Sequence, residues 1–389
     1  MENEYISAAP GICFLTDFWQ EKYIEEYIRY GGSKIKFITG RMGSGKSYFL
    51  QLMENIARQQ GYCVVSFTAR EIWLNDFKDI FFEILRQCDL MECLAGCCRK
   101  VVAGMGYDYQ EIPAGMTFMD YLAQENMCDA LTRREIRVQL KEMFLDNPLL
   151  DNNFALACSM LTGSLLGYPI LEEQSKALLL GWLSGDRTVK LSQLRALGLS
   201  PIRITKYNAR HMLRSLTEVV HISGRAGVFI AVDDLDILIS RSSLETVHYT
   251  KMKREDTYES IRQLIDDIDS LKHIMFVFAF DRALMDDENA GLKSYQALWM
   301  RIQTEITGER FNRFADIVDL DVMAAQEYTP QVVVDISRAM TNALLSRDVS
   351  ALNQEQAEAL LAQARLGSVG IPQLISNAMK GGLENESCS

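Results

Sequence analysis

Positive charge is the scarcer sign in this sequence. Forty lysines and arginines face 52 aspartates and glutamates, a net charge of -12 over 389 residues. A net acidic field repels phosphate backbones and anionic membrane surfaces, so autonomous nucleic-acid binding is not expected. DNA contact is expected only through a partner or a local patch such as Lys251, Lys253 and Arg254, which otherwise reads as a solvated loop. Histidine is also sparse: His211, His221, His248 and His273 are scattered, with no H-E-x-x-H and no G-x-S-x-G motif, which sets aside zinc-protease and hydrolase-triad chemistry. The nine cysteines are an odd set without paired C-x-x-C spacing. Cys88, Cys93, Cys97 and Cys98 cluster but lack companion histidines, and are expected to be reduced thiols packing along helices. The first residues include Glu2 and Glu4 and no basic-then-apolar run, so no secretory leader is expected and the cytoplasm is the expected location. One uncharged run, residues 152–171, has membrane-spanning length. Gly163, Gly167 and Pro169 interrupt it, so buried helix and turn are expected there and no membrane association. Repeats and low-complexity tracts are missing.

What remains has the composition of a folded globular protein, 48% hydrophobic and 24% charged. The length calls for a large core or a core with an appended domain. Short, almost continuously apolar runs at 34–39, 62–68, 228–232 and 274–280, with a fifth candidate at 316–320, read as strands buried on both faces. With helices between them they predict a five-stranded parallel sheet covered on each side. An amphipathic helix is expected over 18–30, ended by Gly31-Gly32-Ser33. Between about 90 and 205 only helical periodicity appears, around 121–127, 134–144, 172–183 and 191–197. Beyond Asp321 the chain again reads as helical, at 329–345, 354–366 and 373–379. The expected fold class is α/β, a P-loop αβα sandwich. Its expected parts are a helical lead-in (1–32), a core with a helical insertion (33–322) and a C-terminal helical lid (323–389).

The strongest chemical signal is Gly40-Arg41-Met42-Gly43-Ser44-Gly45-Lys46-Ser47, which satisfies G-x-x-x-x-G-K-S/T. Glycines let the backbone curl so that its N–H groups face phosphates. Lys46 is expected to reach the β- and γ-phosphates of ATP and Ser47 to coordinate Mg²⁺, while the helix that follows aims its positive end at the same anion. By chance such a pattern arises in a chain this long roughly once in a hundred sequences. The strand before it and the helix after it make an ordinary glycine turn the poorer explanation.

The apolar run 228–232 delivers Asp233-Asp234. Asp233 is expected to hold Mg²⁺, and Asp234 stands where hydrolytic members of this class usually place a water-polarising glutamate. Being one methylene shorter, Asp234 implies slow hydrolysis, and Asp236 compensates only if the strand end turns. Asp281 is the candidate γ-phosphate sensor, with helix capping as its plain alternative. Arg301, Arg310 and Arg313 lie where oligomeric ATPases present an arginine to a neighbour's nucleotide; the alternative is a surface ion pair with Glu305 or Glu309.

From residue 15 to 380 the sequence resembles the BREX-type ATP-binding protein family, AAA+-like ATPases of bacterial phage-defence loci. The likeness rests on Tyr30-Gly31-Gly32-Ser33 before Lys36-Phe37-Ile38, the loop from Gly43 through Ser47 to Tyr48-Phe49-Leu50, and the Asp233-Asp234 strand end. It extends to Ser294-Tyr295-Gln296-Ala297-Leu298 with Arg301, and to Arg310-Phe311. The resemblance implies nucleotide contact along residues 40–48, a homo-oligomer, and partner proteins within a defence system. Two positions depart from the family pattern: Asp-Asp replaces Asp-Glu, and Gln373, after Pro372, falls where a lid arginine is expected. A nucleotide-gated switch with little hydrolysis, possibly DNA-associated, is the alternative reading.

Overall fold

The computed structural model describes residues 11–240, 247–302, 311–344 and 350–386. Five strands, β1 (Ser33–Gly40), β2 (Cys63–Thr68), β3 (Val228–Asp233), β4 (Ile274–Asp281) and β5 (Ile317–Asp319), form one sheet in the order β2-β3-β4-β1-β5. Every neighbouring pair is parallel. The chain is otherwise mostly helical.

Strand residues project alternately to the two faces of a sheet, and here the alternation feeds two cores. Val228, Ile230 and Val232 of β3 and Ile274, Phe276, Phe278 and Phe280 of β4 belong to one core. Phe229, Ala231, Met275, Val277 and Ala279 belong to the other. The first core continues into the Phe77–Gln87, Leu90–Gly104, Asn152–Leu166 and Ala209–Ile222 helices. The second holds the Lys46–Gln59 helix and the N-terminal helical segment. Burial on both faces is why β3 and β4 carry no polar residue before their terminal aspartates. β1 is more polar, with Ser33, Lys34, Lys36 and Thr39; of these Lys36 is fully buried, its Nζ donating to Phe314 O at 2.7 Å and Ala315 O at 2.8 Å. Those bonds tie β1 to the chain entering β5.

A third, separate core joins the Pro330–Leu344, Gln354–Leu366 and Ile371–Glu386 helices through Val333, Ile336, Leu360 and Ile375. The segment 152–171 forms the Asn152–Leu166 helix and a turn, and among the described residues no helix is long and apolar enough to cross a membrane. The amphipathic segment 18–30 begins earlier than expected, as the Cys13–Trp19 helix, and runs on with π-helical geometry from Gln20–Ile28. Cys88, Cys93, Cys97 and Cys98 are buried in the first core. Lys251, Lys253 and Arg254 are not loop residues. They open the Lys251–Asp267 helix, capped by Thr250, whose side chain accepts from Lys253 N–H. The charges surround the first turns, so they hide the apolar stripe of Tyr258, Ile261 and Leu264 from a periodicity reading.

Candidate functional site

The C-terminal ends of β1, β3 and β4 converge on the loop between β1 and the Lys46–Gln59 helix. In parallel α/β sheets this end is where ligands bind. Gly40 of β1 is in register with Asp281 of β4. Gly43 and Gly45 take φ of +73° and +94°, the left-handed backbone that glycine alone enters without strain. Gly45 is also the N-cap of the Lys46–Gln59 helix, and no side chain caps it. The first-turn N–H groups therefore face the loop with the positive end of the helix dipole behind them, a ready anion site.

Lys46 Nζ donates to Gly40 O and Arg41 O, both at 3.0 Å, and lies 3.7 Å from Asp281 Oδ2. Ser47 Oγ donates to Asp233 Oδ2 at 2.6 Å. Two hard oxygen donors so close approximate one edge of a Mg²⁺ octahedron, about 3 Å for bonds of about 2.1 Å. Ser44 Oγ is buried with no hydrogen-bond partner among the described residues. The cation, the free helix end and the oxygen pair fit a phosphate group with a divalent ion.

Asp234 leaves the strand in a left-handed conformation, φ +57°. Its N–H donates to Asp233 Oδ1 at 2.8 Å, and its Oδ2 accepts from Arg70 Nε at 2.9 Å. Asp236 Oδ1 accepts the Asp281 N–H at 3.1 Å, which joins the ends of β3 and β4. Burial pushes the Asp236 carboxyl above the ordinary aspartate range. Asp281 both neighbours Lys46 and caps the short Arg282–Asp286 helix by accepting from Ala283 N–H at 3.0 Å.

On its other side the loop meets the C-terminal helices. Met42 pairs with Val369 in a parallel bridge, Gly370 N–H donates to Met42 O at 3.0 Å, and Gln373 N–H donates to Gly43 O at 3.2 Å. Arg41 N–H donates to Asp321 Oδ2 at 2.6 Å, and the Arg41 guanidinium reaches Ala364 O at 3.1 Å and Gly367 O. Tyr48 belongs to the first turn of the Lys46–Gln59 helix, half-buried against the second core.

The arginine candidates separate. Arg301 pairs with Asp266 on the Lys251–Asp267 helix; Glu305 and Glu309, the alternative partners, lie outside the described residues. Arg313 lies 4.3 Å from the Phe18 ring centroid and 5.2 Å from that of Phe14. Arg310 lies outside the described residues. Sequence reasoning missed Arg70 and Asp321. Arg70 stands two residues beyond the end of β2, and Asp321 follows β5 by two; an ionisable residue just past a strand end was the available signal.

An α/β protein with an all-parallel five-stranded sheet and an anion-ready loop after its first strand defines the class. Residues 22–370 match the family of BREX system ATP-binding proteins BrxC/D, and the chain belongs to that family. No curated protein matches it.

Proposed function

We propose that the chain is an ATP-Mg²⁺-dependent subunit of a bacterial phage-defence assembly, with slow ATP hydrolysis at the 40–47 loop. The observation that carries this is the Ser47 hydroxyl 2.6 Å from Asp233, beside Lys46 and an uncapped helix start. Family membership supports ATP binding and partner proteins. The fold is then a P-loop αβα sandwich with a helical insertion at about 90–205 and a C-terminal lid from 323 onward, in a cytoplasmic protein.

Bound between Ser47 and Asp233, Mg²⁺ would neutralise charge on the phosphates and fix their orientation. Lys46 exchanges the carbonyls of Gly40 and Arg41 for phosphate oxygens, and N–H groups of residues 43–48 donate to the same anion. Asp234 orients water, and Asp281 senses the terminal phosphate. An arginine of a neighbouring copy, Arg310, Arg313 or Arg301, completes the charge in a homo-oligomer. Arg41 and Gly370 pass displacement of the loop to the C-terminal helices. Mixed with ATP and Mg²⁺, the purified protein should melt several degrees higher; an unchanged melting temperature across ATP titration sinks this reading.

The Arg70–Asp234 ion pair favours a second reading, a nucleotide-gated switch in which ATP orders an assembly and turnover matters little. Comparing Lys46→Ala with Asp234→Ala decides. Loss of defence activity in both marks an engine, whereas survival of the Asp234 variant alone marks a switch.

A further inference from the structure

A cleft of about 730 Å³ opens where the chain leaving β2 meets the helices between β2 and β3, away from the 40–47 loop. Its apolar surface includes Trp73 and Phe82 on one side and Leu180 and Leu183 of the Glu173–Leu183 helix on the other. Four carboxylates, Glu71, Asp79, Glu83 and Asp89, line it against a single guanidinium, Arg86, which is already paired with Glu83. Burial raises the Asp79 carboxyl even with the Lys78 ammonium 3.5 Å away. An apolar floor under an acidic rim complements a side chain that is itself apolar and flanked by cations.

The same short stretch of chain reaches the candidate ATP site. Arg70 holds Asp234, and Ile72 and Trp73, two and three residues on, line the cleft. Tyr249 organises the turn between them: its hydroxyl accepts from Leu74 N–H at 3.1 Å and lies 3.2 Å from Ala69 O. Trp73 packs on Tyr249 with centroids 5.0 Å apart, and Lys253 Nζ sits 3.5 Å from the Trp73 centroid. An occupant that displaces Trp73 works against a turn whose other end grips Asp234.

We propose that this cleft docks a segment of a partner protein bearing an apolar side chain flanked by lysine or arginine, and that docking controls Asp234 through the turn from Arg70 to Trp73. The second half rests on the nucleotide reading given above; the first half does not.

The test uses the full chain and two amidated heptapeptides, one alternating leucine with lysine and one alternating leucine with glutamate. Tryptophan emission, with Trp73→Phe as the blank, reports occupancy. Phosphate release and the dissociation rate of a fluorescent ATP analogue report the nucleotide site. The lysine peptide should shift Trp73 emission saturably and change phosphate release or nucleotide dissociation at least about threefold, while the glutamate peptide does neither. Leu180→Arg, which places a cation in the cleft, should abolish both responses and bind the analogue as wild type does. Glu71→Lys is the second variant should Leu180→Arg fail to fold. The docking site is overturned by the absence of a saturable Trp73 response, by an equal response to the glutamate peptide, or by an unaltered response in a folded cleft variant. A Trp73 response with both nucleotide rates unchanged overturns the coupling. A wild-type chain that never binds the analogue refutes the nucleotide reading instead, and the emission change still judges the cleft.

Discussion

The loop at residues 40–47 has two unlike neighbours. On the sheet side its contacts are chemical: an ammonium near a carboxylate, and a hydroxyl donating to another. On the side of the C-terminal helices, apart from the Arg41 guanidinium on two carbonyls, they are main-chain bonds and close backbone approach. A Cβ at Gly43 would lie 2.3 Å from Gln373 Cβ, and one at Gly370 would lie 2.4 Å from Ser44 Cα. A contact through charged side-chain ends survives small shape changes but not loss of charge, whereas backbone apposition survives charge changes but not one added carbon. The two sides should therefore fail differently.

Lys46→Ala gives the largest effect. Removing a charge-assisted donor to phosphate should weaken ATP by about 1.5–3 kcal/mol, roughly 10- to 150-fold. The apo protein should keep its stability to urea to within about 1 kcal/mol, because the lost contacts run to two nearby carbonyls and, at 3.7 Å, to the part-exposed Asp281 carboxylate. Titration calorimetry and urea melts of the same preparation check both halves.

Gly370→Ala should show the opposite pattern. The clash is with the Ser44 and Gly43 main chain, which has no flexible end to give way, so about 1–3 kcal/mol of stability should be lost. Urea denaturation followed through the C-terminal helices should show them releasing at lower denaturant. Equal loss of ATP affinity in this variant and in Lys46→Ala would erase the distinction between the two sides.

Between them lies Asp321→Asn. Asp321 is buried, accepts the Arg41 N–H and faces the Arg41 guanidinium at 3.3 Å, so it belongs to both neighbourhoods. Asparagine keeps the shape and one acceptor but removes the charge, which should cost about 1–2 kcal/mol. The loss should appear in both the urea midpoint and the ATP affinity.

The same division explains what the sequence discloses. The loop, its helix and the Asp233 strand end are legible because each is written locally, in glycine positions, a hydroxyl after a lysine, and an apolar run ending in acid. β3 and β4 are legible because burial on both faces leaves them no polar residue before their terminal aspartates. Arg70 holds Asp234 across 164 positions, and nothing near Arg70 signals that partner. Likewise Val369 and Gly370 carry no motif; their importance comes from what packs on them. The Lys251–Asp267 helix escaped because solvated charges surround its first turns and its apolar stripe begins late.

An ion pair outside the contacts of the loop sets the lower bound on these effects. Glu259 accepts from Arg262 Nε and from the Tyr295 hydroxyl, both at 2.7 Å, which ties the Lys251–Asp267 helix to the segment before the Gln296–Ile302 helix. The Arg262 guanidinium is the main cause pulling the Glu259 carboxyl down to about 2 from the usual 4.5. A carboxyl whose folded value is depressed stabilises the fold above its unfolded value, and that contribution disappears as pH falls from about 4.5 through about 2. The Glu259 side chain is 32% exposed, so screening should hold the effect of Glu259→Gln at neutral pH to about 1 kcal/mol. Urea midpoints of wild type and variant should differ slightly at pH 7 and converge toward pH 2, with ATP affinity unchanged at pH 7. A change in ATP affinity as large as that of Asp321→Asn would mean that the segment around Tyr295 communicates with the loop after all.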